Sequence, residues 1–108
     1  MLQRLELMEK RFGELEILLS DPKVVSNLAE FQKRAKEHAD LSKPIQIYRE
    51  YKKVLEEIAA DEVILTEETE DQDLLELARQ ELDNLKKKKG ELKHALRLQL
   101  LPKDPKDV

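Results

Sequence analysis

Ala78, Leu82, Leu85, Lys89, Leu92 and Leu96 follow one another at intervals of 4, 3, 4, 3 and 4 residues. That is the seam of an α-helix at heptad spacing. The spacing predicts a helix from about Gln72 to Leu100, roughly 40 Å long at 1.5 Å per residue. A chain of 108 residues forms one small domain. A compact core cannot cover so long a helix, so the helix must lie on an equally long partner. Only the segment from about Ser26 to Leu65 has the length. Between them, residues 61–73 (DEVILTEETEDQD) hold seven acids and no base, and Thr66 to Asp73 contains no apolar residue. That stretch reads as the solvated turn of an antiparallel hairpin.

The rest of the chain keeps the same period. Leu5, Met8, Phe12, Leu15 and Leu19 form a first stripe, ended by Ser20-Asp21-Pro22. Leu28, Phe31, Ala35 and His38 begin the second segment, and Ile45, Tyr48, Tyr51, Leu55 and Ile58 continue it. Ser26 or Asn27 fits as its N-cap, with Glu30 three residues after Asn27 as in a capping box. Thr69 or Asp71 fits as the cap of the last helix. Pro44 interrupts the middle segment. Either a short helix ends near Leu41 and another begins with Pro44, or one helix kinks there. The reading preferred from sequence is two helices. The predicted fold is all-α: an elongated three-helix, coiled-coil-like hairpin, with the first helix alongside and the middle one broken or kinked near Pro44. Residues 1–101 form the helical domain and 102–108 begin a linker.

Composition agrees. Charged residues make up 41% and aromatics 4%, with two Gly and no Trp, which disfavours a sandwich or barrel. No cysteine is present, which removes thiolate chemistry and disulfides and suits the cytosol. The longest apolar run is three residues, against about 20 for a membrane span. Glu6, Glu9, Glu14 and Glu16 argue against a signal or transit peptide. The net charge of −4 does not suit a duplex-DNA binder.

Catalytic constellations are lacking. His38 and His94 have no histidine partner at i+4. Ser20, Ser26 and Ser42 sit at helix boundaries, where they serve as caps or turn residues. Gly13 and Gly90 cannot build a phosphate-cradling loop. The acidic stretch lacks the spaced ligands and central Gly of a calcium loop. Neither catalytic, cofactor nor metal residues are therefore expected. Lys86, Lys87, Lys88 and Lys89 are an unbroken basic run. Four consecutive positions sweep around a helix, and Lys86, Lys93 and Arg97 lie toward one side. The run is either a solvated face laced by pairs such as Asp83–Lys87, or a contact for phosphates without aromatic stacking.

The C-terminal sequence LLPKDPKD (Leu100 to Asp107) resembles a domain junction in bacterial-type peptide chain release factors of the first class. PIQIYREYKKVLEEI (Pro44 to Ile58) is similar to that family's middle helix, and Leu19-Ser20-Asp21-Pro22 to the end of its first. The resemblance covers essentially the whole chain and favours the factor type that reads UAA and UAG. No Gly-Gly-Gln motif and no codon-reading tripeptide is present. The resemblance thus implies the N-terminal domain alone, without its catalytic and decoding domains. It implies an interaction arm facing the stalk base of the large ribosomal subunit, touching ribosomal RNA and protein. The expected contacts are Lys86, Lys87, Lys88, Lys89, Lys93 and Arg97. The remaining domains of the same factor would be further partners, and the exposed leucine seam would allow a weak homodimer. The alternative reading is a free-standing coiled-coil adaptor or a tRNA-binding hairpin arm.

Overall fold

The computed structural model describes residues 1–102, and side-chain caps start every helix after the first. Four helices form, and no strand occurs among the described residues: α1 (Leu2–Leu19), α2 (Pro22–Val25), α3 (Leu28–Thr66) and α4 (Gln72–Gln99). The linker expected at 102–108 lies, beyond Pro102, outside the described residues. Asp21 caps α2 by accepting from the Lys23 N–H at 3.0 Å, with Pro22 at the first helical position. Asn27, not Ser26, caps α3: its Oδ1 accepts from the Glu30 N–H at 3.2 Å. The capping box stays one-sided, because the Glu30 carboxylate turns to Arg34 at 2.9 Å instead. Asp71 caps α4 through the Leu74 N–H at 3.0 Å, and Thr69 accepts from the Asp71 N–H at 3.1 Å. Both residues offered as the α4 cap therefore take part, in series.

The preferred expectation of two helices around Pro44 is corrected here. The helix runs through it for 39 residues, about 58 Å. Proline removes one helical hydrogen bond and clashes with the carbonyl four residues back. That carbonyl belongs to Asp40, which is exposed, so water can take the missing donor's place. Helix α1 braces the site from both sides. Before the proline, Arg11 donates to Glu37 from Nε and Nη2 at 2.8 and 2.9 Å. There too, Phe12 stacks on His38 with centroids 4.2 Å apart. After it, Glu9 accepts from both Arg49 and Lys52. Tertiary contacts on both flanks thus hold one helix where local propensity favours two.

Helices α3 and α4 form the antiparallel hairpin, and α1 lies along the first part of α3. Two clusters make the core. At the base, Leu5 of α1, Tyr48 and Tyr51 of α3 and Leu96 of α4 meet in one buried group. Toward the tip, Val54 and Ile58 pack on Leu82 and Leu85. Leu5, Leu15, Ile45, Val54 and Leu96 are essentially shielded from water, each burial contributing about 1.5–3 kcal/mol. The seam of α4 is therefore covered by α3, and Leu82, Leu85 and Leu96 are not left for a second copy. The early stripe of α3 is shallower than expected: Leu28 is exposed, and Phe31, Ala35 and His38 are half-buried. The molecule measures 64 × 38 × 19 Å, with a radius of gyration of 19.6 Å. A compact domain of this length would have about 13 Å.

Candidate interaction surface

The six expected contact residues all project from α4, but they do not act alike. Lys86, Lys87, Lys88 and Arg97 are exposed, while Lys89 and Lys93 are half-buried. Lys89 sits on the apolar seam, so its stem lies against the hairpin and its ammonium reaches outward. Lys88 turns to the opposite flank and binds Glu50 of α3 at 3.0 Å. That contact, followed by the charge of Glu50, holds the Lys88 ammonium above its usual range. Lys88 is thus a tie between the two helices and is less available to a ligand. Lys86, Lys87, Lys89, Lys93 and Arg97 form no ion pair among the described residues. The Asp83–Lys87 pair weighed for the solvated-face reading does not form among them either.

Sequence reasoning missed a further member. Arg79, Lys86 and Lys93 recur every seven residues, which is two helical turns. They share one flank of α4, and Arg97 continues it one turn on. Arg79 is more than half exposed and holds Glu76 only loosely at 3.5 Å. The seven-residue recurrence was visible in the sequence, but it was masked by the louder run of four lysines. At the base, Arg97 borders an open groove with Met1, Leu100 and Leu101. Beside it, Arg4 of α1 donates to the Leu100 carbonyl at 3.0 Å, tying the two ends together.

The other flank carries the opposite charge. Glu50, Glu57 and Asp61 of α3 face Glu81 and Lys88 of α4 there. At the tip, Glu67, Glu68, Thr69 and Glu70 surround a shallow open hollow. The hairpin therefore presents a basic flank, an acidic flank and an acidic tip. Among the described residues no group of three or more His, Asp or Glu is placed to hold a metal ion. No helix among them is long and apolar enough to cross a membrane.

Comparison with known proteins places this geometry. The chain is 46% identical over 107 residues to Peptide chain release factor 1 of Clostridium botulinum (strain 657 / Type Ba4). It is 43% identical over 107 residues to the proteins of the same name from Pelobacter propionicus and Geotalea uraniireducens. Each alignment takes in 99% of this chain but only 30%, 29% and 29% of the relatives. The chain thus spans less than a third of the length of the relatives it matches. No solved structure matches it. The PCRF domain matches residues 8–108, from the second position of the α1 stripe through the LLPKDP end. With the hairpin and most of its bracing first helix inside that match, the chain belongs to the PCRF domain family.

Proposed function

We propose that this chain is the N-terminal helical arm of a class I peptide chain release factor acting in translation termination at UAA and UAG. Its place is on the cytoplasmic ribosome, facing the stalk base of the large subunit, and it neither reads the codon nor carries the catalytic step. The observation that supports this is the alignment of nearly the whole chain with proteins named Peptide chain release factor 1. The geometry fits an arm. A 64 Å helical hairpin displays charge in lines, with its basic flank separate from its acidic tip.

The contact residues in this reading are Lys86, Lys93 and Arg97, joined by Arg79, with Lys87 and Lys89 beside them. Lys88 contributes less because Glu50 holds it. A domain of net charge −4 presents few bases at once, so about one to three phosphate contacts are expected. Each steepens the fall of log K with log salt by roughly 0.7–0.9. The acidic tip faces away from RNA or toward a basic ribosomal protein.

The test is sedimentation of the chain with ribosomes across a salt series. Wild type should bind weakly, and the Lys86→Gln/Lys93→Gln double variant should bind more weakly with a slope shallower by about 1–2. Equal affinity and equal slope would return the basic flank to a solvated helix face.

A further inference from the structure

Asp61 is the one charged residue buried among the described residues, at 6% exposure, and its Oδ2 has no hydrogen-bond partner there. It lies on α3 one turn from Ile58 and Leu65, members and neighbours of the tip-side apolar cluster. A buried carboxylate without a partner is costly, and it is normally paired or neutralised. No base supplies that pairing here. Lys88 is held by Glu50, and Arg79 turns to Glu76. What Asp61 meets across the hairpin is Glu81 of α4, with Glu57 of α3 adding a third acid.

Two carboxyls in contact satisfy each other in one way: one keeps a proton and donates it to the other. With no cation-holding group of acids among the described residues, the ligand this site fits is a proton. We propose that Asp61 and Glu81 form a proton-operated catch between α3 and α4. A shared proton closes the distal half of the hairpin, and its loss loosens that half toward the acidic tip. Every ion pair between α1 and α3, and the base cluster, lies at the other end, so the loosening is local.

The sign follows from the direction of the shift. The Glu81 carboxyl is held above its ordinary range, first by its hydrogen bond with Asp61, then by the Asp61 charge, burial and the Glu57 charge. A raised group contributes stability that is present below its ordinary range and is lost as pH rises through the raised value. Acid therefore tightens this end, while it weakens the ion pairs of Glu9 and Glu37.

Amide hydrogen exchange on the 108-residue chain reads the catch directly and needs no ribosome. After correction for intrinsic rates, opening at residues 54–65 and 78–85 should grow as pH rises from the ordinary carboxyl range through neutrality, in the direction set by the raised Glu81 carboxyl. Amides around Leu5, Tyr48, Tyr51 and Leu96 should not follow. In the Glu81→Gln variant, whose amide donates to Asp61 at any pH, the distal rise should vanish and opening at pH 8 should fall below wild type. Asp61→Asn should act in the same sense through the other partner. Superimposed profiles for wild type and Glu81→Gln would overturn the proposal. So would a wild-type rise shared equally by both ends of the molecule.

Discussion

At the scale of single residues, one carboxylate often holds two helices in register. Glu9 of α1 accepts from both Arg49 and Lys52 of α3, and Arg49 also lies 5.5 Å over the Phe12 ring. The Lys52 hydrogen bond, offset by burial and aided by Arg49, holds the Glu9 carboxyl below its ordinary range. Arg11 does the same for Glu37. A lowered carboxyl contributes stability that is present above the ordinary range and lost as pH falls through the lowered value. Glu9→Gln should therefore cost about 0.5–1 kcal/mol at neutral pH, the upper part of the range for partly exposed pairs. The gap from wild type should narrow as pH falls below the ordinary carboxyl range and through the lowered Glu9 value, where wild type also loses the charge. Thermal unfolding across pH checks this, and a gap independent of pH would contradict it. Asp61 was not legible in the sequence for a related reason. It stood at the head of an acidic stretch, and only the arrival of α4 buries it.

At the scale of elements, caps and seams were legible and the continuity of α3 was not. Asp71, Asn27 and the α4 seam are local signals: each depends on residues within a turn or two of itself. Pro44 is a local signal too, but here it loses to contacts from α1, which is separated from it by the whole of α2. Val54 was missed for a second reason. Helix α3 meets α1 on one side and α4 on another, so its apolar surface is wider than one stripe. Leu28 was over-read: it begins α3 on an exposed side. The cap of α4 tests the local part. Asp71→Ala should lower stability by about 0.5–2 kcal/mol. Denaturant unfolding followed by circular dichroism measures the loss. No loss would mean that Thr69 and Asp73 hold the helix start without it.

At the scale of the whole molecule, the sequence conveyed the elongated hairpin and the basic run, but not how charge is divided between flanks. That division depends on which side of α4 faces α3. Lys88 is drawn to Glu50 only once the two helices are paired, whereas Arg79 shares the basic flank by its seven-residue spacing alone. The central claim is that this hairpin serves as the arm of a release factor, and a chimera tests it most directly. The 107 aligned residues of the Geotalea uraniireducens relative are deleted, or replaced by this chain, and peptide release from stop-programmed ribosomes is timed. The account predicts that the graft restores release at UAA and UAG lost on deletion, and that this chain alone releases nothing. A graft no better than the deletion, or stop-dependent release by this chain alone, would contradict it.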